Sequence, residues 1–146
     1  MRIIVLPKSQ AEAFRSDKPW AAISITNSHL THPLVHAKLS PDNRVGLLQL
    51  DFDDVNHVAE GAFAAEHADK IIDFVRDVFG RIDALVVHCH MGMSRSPGVA
   101  AAVYKLLTDG DDSYYFKAYT PNTRVYNGIL QVARHRGIKP GELAKD

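Results

Sequence analysis

The stretch His88-Cys89-His90-Met91-Gly92-Met93-Ser94-Arg95-Ser96 lies between two apolar runs and is the most informative part of the chain. The run before it, residues 84–88, is short and nearly all apolar, as is typical of a strand buried on both faces of a parallel sheet. Ser96 suits a helix N-cap and Pro97 the first helical residue, and the apolar segment VAAAVYKLL follows. The sequence therefore predicts a buried strand, a tight loop and a deeply buried helix.

The rest of the chain alternates in the same way. Strands are predicted over residues 2–6, 21–26 and 45–51, with a short helical turn at 8–15 and a loop at 27–43. Helices are predicted over about 59–79, which Gly80 closes, and over 112–119 and 123–136. Such alternation predicts one α/β domain over residues 1–146, with a central, mostly parallel sheet of about four to five strands flanked by helices.

The balanced composition indicates that function depends on a local site and not on a charged surface. Apolar residues make up 46% of the chain, and 17 basic residues balance 17 acidic ones. No net charge favours nucleic acid or an anionic membrane, and no apolar run reaches the length of a membrane span. The single cysteine excludes a disulfide within the chain. We expect a cytoplasmic protein without nucleic-acid or membrane partners.

The loop after the first apolar run has the composition of an anion site. A loop wound at a helix N-terminus directs its backbone N–H groups inward, where the helix dipole adds positive potential. Gly92 permits a turn or close approach, and the planar Arg95 side chain can bind two phosphoryl oxygens. These donors should stabilise the thiolate of Cys89 as a nucleophile, and Ser96 can hydrogen-bond its sulfur. The predicted phosphate-binding residues are His90, Met91, Gly92, Met93, Ser94 and Arg95.

The segment resembles the signature of the protein tyrosine phosphatase superfamily: His-Cys, five residues, Arg, then Ser. The compact length and the Arg-Ser-Pro sequence look like the dual-specificity branch. The resemblance implies a phosphocysteine intermediate that water hydrolyses, and it implies neither metal nor cofactor. Pro121-Asn122 matches the Pro-Asn that often precedes the last helix of that family.

The family also implies a general-acid Asp on a loop thirty-odd residues upstream, after a strand. Asp51, Asp53 and Asp54 lie there. Asp51 still belongs to the predicted strand, so the position after the strand favours Asp54 as the proton donor. Asp53 stays open as the alternative, because spacing alone does not separate adjacent loop carboxylates.

Other polar residues have simpler interpretations. His88 ends a strand and should support the loop by hydrogen bonds. His29, His32 and His36 lie in a loop without a fixed register, so no metal site is predicted. Asn122 should connect the C-terminal part of the chain to the loop, and the aromatic residues 114–116 should pack in the core.

The predicted function is a cysteine-dependent phosphomonoester hydrolase of the Cys-x5-Arg type. The implied substrate is phosphotyrosine, in a phosphorylated protein or a small phosphoester, with phosphoserine and phosphothreonine left open. Phosphate or sulfate should bind in the loop. Two alternatives are a phosphate-binding pseudophosphatase module without turnover and a rhodanese-like sulfurtransferase. Enzymes of the latter kind lack an upstream acid in this place. The sequence leaves the oligomeric state open.

Overall fold

A computed structural model describes residues 1–30 and 35–145 of the chain. The predicted alternation of strands and helices is confirmed, with most boundaries within one or two residues. The elements are β1 (Arg2–Pro7), α1 (Lys8–Ala13), β2 (Trp20–Thr26), β3 (Arg44–Asp51), α2 (Ala65–Val78), β4 (Ala84–Cys89), α3 (Arg95–Thr108), α4 (Ser113–Ala118) and α5 (Thr123–His135). A 3-10 turn over Phe79–Arg81 follows α2.

The four strands form one parallel sheet in the order β1-β4-β2-β3. Every residue of β4 is buried, which its apolar composition predicts for an inner strand. Because all strands run the same way, their carboxyl ends share one edge, where ligands bind in such sheets. Cys89, the last residue of β4, therefore lies in the middle of that edge.

Side chains alternate between the two faces of the sheet, as the pleat requires. Ala21, Ile23, Leu85 and Val87 belong to the large core, which also contains the buried sides of α2, α3 and α5. Trp20, Ala22, Ala84 and Val86 form a smaller core on the opposite face, with Phe14 packed against it. The sheet is thus covered on both faces, and α3 is buried along most of its length.

One predicted helix boundary and one predicted helix cap are wrong. The helix expected from residue 59 begins only at Ala65, because the preceding residues form a turn whose Gly61 carbonyl accepts a hydrogen bond from Asp53 N at 2.7 Å. Gly61 has a φ of 85°, a left-handed conformation that stops a helix. At the other end, Gly80 lies within the 3-10 turn and provides no left-handed cap.

The N-terminus of α3 also differs from the prediction. The helix begins at Arg95, so its N-cap position is Ser94 and not Ser96. Ser96 is fully buried within the first turn, where its hydroxyl contacts Cys89. In residues 1–30 and 35–145, no helix combines the length and apolar character that a membrane span requires.

Candidate active site

The loop from Cys89 to Arg95, called the phosphate loop here, is fixed against the first strand. Gly92 has a φ of 70°, and a Cβ atom added there would lie 2.7 Å from Pro7 N and 2.8 Å from the Leu6 carbonyl carbon. The carbonyl of His90 accepts a hydrogen bond from Lys8 N at 3.0 Å. Only glycine fits this backbone approach, which explains why the loop contains a glycine at this point.

Polar groups surround the sulfur of Cys89. Gly92 N donates to Cys89 Sγ at 3.3 Å, and the Ser96 hydroxyl lies 3.2 Å from the same atom. The Cys89 side chain is nearly enclosed, with 3% exposure. An inert buried thiol would be expected among apolar neighbours, whereas a backbone amide and a hydroxyl can both donate to a thiolate. The sulfur of Cys89 therefore has two hydrogen-bonding neighbours, one in the loop and one in the first turn of α3.

Arg95 is buried and held at one end of its guanidinium group. Nη1 donates to Asn27 Oδ1 and to the Phe52 carbonyl, each at 2.9 Å. Within the described part of the chain, Nε and Nη2 have no hydrogen-bond partner, so these N–H groups can serve an anion. Arg95 also lines a cavity of about 250 Å³, together with Lys8, His90 and other residues at the carboxyl edge of the sheet. Sequence reasoning missed Asn27, although its position directly after β2 places it at this edge.

His88, on β4, contacts the start of the phosphate loop and the neighbouring strand β2. Its Nδ1 lies 3.3 Å from the Cys89 carbonyl oxygen, which can only accept, so the proton belongs on Nδ1. Nε2 then accepts from the Ser24 hydroxyl at 2.7 Å. Burial lowers the pKa of His88 below its usual 6.5, against an opposing contribution from the Cys89 carbonyl. The ring is therefore neutral at neutral pH and acts as a structural support, which matches the predicted contact.

The two candidate acids occupy different environments. Ser28 N and the Ser28 hydroxyl donate to the two carboxylate oxygens of Asp53, at 3.0 Å and 2.8 Å. Asp53 thus ties the segment after β2 to the segment after β3. A Cβ at Gly61 would lie 2.7 Å from Asp53 Oδ2, so this carboxylate is also closely packed. Such surroundings fit a structural role for Asp53 better than proton donation to a substrate.

Asp54 is exposed and adjoins the phosphate loop. Its Oδ1 accepts hydrogen bonds from the Ser94 hydroxyl and from Asn122 Nδ2, both at 2.8 Å. Oδ2 accepts none from residues 1–30 or 35–145, so a proton can reside there while Oδ1 remains bonded. A carboxyl group held at the rim of an anion loop with one free oxygen has the geometry of a general acid.

Asn122 connects the C-terminal helices to the phosphate loop and to the segment after β3. Its N–H donates to the Ser94 carbonyl at 2.9 Å, and its Oδ1 accepts from Val125 N as the N-cap of α5. Its Nδ2 donates to Asp54 and, at 3.1 Å, to the Val55 carbonyl. The connecting role predicted from sequence is confirmed, and Asn122 additionally orients the candidate acid.

The remaining sequence predictions concern residues away from the loop. His36 Nε2 lies 2.9 Å from Asp51 Oδ1, so Asp51 faces the β2–β3 connection and not the phosphate loop. His32 lies outside the described residues, and no group of three or more potential metal ligands occurs elsewhere in the chain as described. Of the three aromatic residues at 114–116, only Tyr115 is buried, whereas Tyr114 and Phe116 are exposed.

Solved structures of other proteins share this architecture. A human tyrosine phosphatase-like serine/threonine/tyrosine-interacting protein superposes with a TM-score of 0.65 at 15% identity, over 92% of both chains. The chain has the fold of a dual-specificity phosphatase. Human DUSP28 gives a TM-score of 0.62 at 13% identity, over 92% of this chain and 93% of the other. No protein-family model matches the sequence, and a search of curated proteins gave no match. At such low identity the dual-specificity phosphatase fold is shown by structure alone.

Proposed function

We propose that the chain is a cysteine-dependent phosphomonoester hydrolase that acts on phosphotyrosine through a phosphocysteine intermediate. The observation that carries the proposal is the pair of hydrogen-bonding groups at Cys89 Sγ, the Gly92 N–H and the Ser96 hydroxyl, at the start of a loop that ends in Arg95. A phosphoryl group in this loop would meet backbone N–H groups, the free N–H groups of Arg95 and the N-terminus of α3.

The first step transfers the phosphoryl group to sulfur. Cys89 Sγ attacks phosphorus, an S–P bond forms, and the bond between phosphorus and the ester oxygen breaks. Asp54 gives its proton to the departing oxygen, so the alcohol leaves neutral. Arg95 and the loop amides stabilise the charge on the equatorial oxygens. The Asn27 and Phe52 contacts fix the guanidinium of Arg95 before substrate arrives.

The second step hydrolyses the phosphocysteine and regenerates the free enzyme. Asp54, now a carboxylate, takes a proton from a water molecule whose oxygen attacks phosphorus. The S–P bond breaks, inorganic phosphate forms, and the electron pair returns to Cys89 as a thiolate. The Ser96 hydroxyl, 3.2 Å from Sγ, donates to the sulfur as the negative charge develops. Neither step requires a metal or an organic cofactor.

Two exposed methionines favour an aromatic ester. Met91 and Met93 are 67% and 46% exposed and belong to the phosphate loop itself. Thioethers make favourable contacts with aromatic rings, so these side chains can line the path of a phosphotyrosine ring. Phosphoserine and phosphothreonine would gain less from such contacts, which makes phosphotyrosine the preferred substrate.

The two alternatives make different predictions. A pseudophosphatase module would bind phosphate in the same loop without turnover, and a sulfurtransferase would move sulfur from thiosulfate to cyanide. Asp54 supports hydrolysis, because its bond to Ser94 holds a carboxyl group at the loop rim.

The test compares wild type with Cys89→Ser in three assays: hydrolysis of 4-nitrophenyl phosphate, binding of inorganic phosphate, and sulfur transfer. We expect wild type to hydrolyse the aryl ester, and Cys89→Ser to bind phosphate without turnover. Phosphate binding by a wild type that does not turn over would support the module. Cyanide-dependent sulfur transfer would support the sulfurtransferase.

A further inference from the structure

A groove leads from the rim of the candidate active site along α5. One cavity of about 440 Å³ is lined by Asp54, Ser94 and Asn122 among others. A second cavity of about 460 Å³ continues beside α5 as far as His135. Asn56 and Thr123 line both cavities, so the two adjoin. We call the combined feature the α5 groove.

The α5 groove has hydrogen-bonding side chains at a regular spacing. Thr123, Asn127, Gln131 and His135 are exposed, lie four residues apart on one face of α5 and line the groove. Four residues of helix advance about 6 Å. Two residues of an extended chain advance about 6.6 Å. Successive side chains along the helix can therefore meet successive residues on one side of an extended peptide, whose backbone needs both donors and acceptors.

The groove also has one fixed positive charge. Arg124 Nε donates to the Phe63 carbonyl at 2.9 Å, which holds the side chain against the groove wall. Its two terminal nitrogens have no hydrogen-bond partner in residues 1–30 and 35–145, so they can pair with a carboxylate. Arg124 is the only lysine or arginine among the described residues that line the two cavities.

We infer that the α5 groove binds the segment flanking the phosphorylated residue of a protein substrate, as an extended acidic peptide. The inference rests on the proposed function, because it takes the phosphate loop as the site of the phosphoryl group. From Thr123 to His135 the helix advances about 18 Å, which accommodates about five extended residues. The substrate is then a phosphopeptide segment within a protein and not a small phosphoester.

The test measures binding to Cys89→Ser, so it does not depend on turnover. Phosphotyrosine is compared with phosphotyrosine peptides that carry one to seven acidic flanking residues, on either side, by fluorescence anisotropy competition. We expect affinity to rise about tenfold or more over free phosphotyrosine, since a few net hydrogen bonds suffice for that gain. The gain should occur on one side of the phosphotyrosine only and should stop at about five residues.

Two variants on α5 provide a matched comparison. Gln131→Glu places a negative charge in the groove, and Arg134→Gln changes the charge by the same amount on the same helix outside it. Gln131→Glu should weaken peptide binding about threefold and leave phosphotyrosine binding unchanged, as expected for one exposed charge contact. Arg134→Gln should change neither. Arg124→Gln should reduce the preference for acidic over neutral flanks.

The outcomes separate the two proposals. If phosphotyrosine and all peptides bind equally well, or if Gln131→Glu and Arg134→Gln act alike, the groove inference is wrong while the phosphate loop stands. If peptides bind without their phosphoryl group as tightly as with it, the flanking-segment inference is also wrong. If neither phosphotyrosine nor phosphopeptide binds, the proposed function fails and the groove inference fails with it.

Discussion

Replacing Gly92 by alanine tests how firmly the phosphate loop is fixed to β1. The new Cβ would lie 2.7 Å from Pro7 N, about 0.7 Å short of the 3.4 Å at which ordinary contact begins. Both clashing atoms belong to the backbone of β1, so no side-chain rotation relieves the contact. The loop must move instead, and it carries the amide that donates to Cys89 Sγ.

The size of the effect follows from that displacement. Since a misplacement of about 1 Å can cost about 10²-fold in rate, a shift of about 0.7 Å predicts a ten- to hundredfold loss in kcat/KM. Alanine in the left-handed conformation at φ 70° also lowers the free energy of unfolding by about 1–2 kcal/mol. The assays are 4-nitrophenyl phosphate hydrolysis and urea-induced unfolding of the same preparations.

Two other glycines serve as controls. Gly137 has a φ of 77° with open space around its Cβ position, so Gly137→Ala should lose stability by a similar conformational cost and keep full activity. Gly80 has open space and no left-handed φ, so Gly80→Ala should be nearly neutral. If Gly92→Ala matches Gly137→Ala in both activity and stability, the contact with β1 does not position the loop and the reasoning is wrong.

Three further predictions concern the acid, two histidines with lowered pKa values and the thiol. Asp54→Asn should lower kcat about 10²–10⁴-fold with a tyrosine-like leaving group and less with a more acidic one, whereas Asp53→Asn should chiefly lower stability; the reverse kinetic result would make Asp53 the donor. Burial lowers the pKa of both His88 and His67, so each takes up a proton on unfolding between its folded pKa and 6.5. The free energy of unfolding should therefore be highest above about pH 6.5 and should fall as the pH decreases below about 6.5, by less in His88→Gln than in wild type. An equal fall in wild type and His88→Gln, measured by urea denaturation, would contradict this. Peroxide should abolish the proposed hydrolase activity reversibly by oxidising Cys89 to a sulfenic acid, without a disulfide within the chain; mass spectrometry that shows an unmodified thiol after treatment would contradict it.

Local pattern predicted the framework well because the decisive signals are short-range. The apolar run 84–88 predicts an inner strand, and the alternation of elements predicts a parallel sheet. Cys89 and the acidic residues Asp53 and Asp54 are then expected at the same edge of that sheet. The structure confirms both the inner position of β4 and the buried α3. The catalytic roles of Cys89, Arg95 and Asp54 remain proposals that the experiments above address.

Long-range contacts account for what the sequence did not reveal. Asn27 contacts Arg95, and Ser28 contacts Asp53, across large separations along the chain, and neither serine nor asparagine after a strand has a distinctive local pattern. The late start of α2 depends on the Gly61 turn, which closes on Asp53 rather than on its own neighbours. The Ser-Pro pair favours Ser96 as the N-cap, but α3 begins two residues earlier than that, with Ser94 as its N-cap and Arg95 as its first residue.

The most direct measurement of the proposed chemistry is to trap the covalent intermediate. Asp54→Asn should slow attack by water while an aryl phosphate with an acidic leaving group still phosphorylates the sulfur. Rapid acid quenching followed by peptide mass spectrometry should then show one phosphoryl group on the peptide that contains Cys89, and none in Cys89→Ser. Turnover without any phosphorylated Cys89 peptide, or a phosphoryl group carried by another residue, would contradict the assignment of Cys89 as the nucleophile.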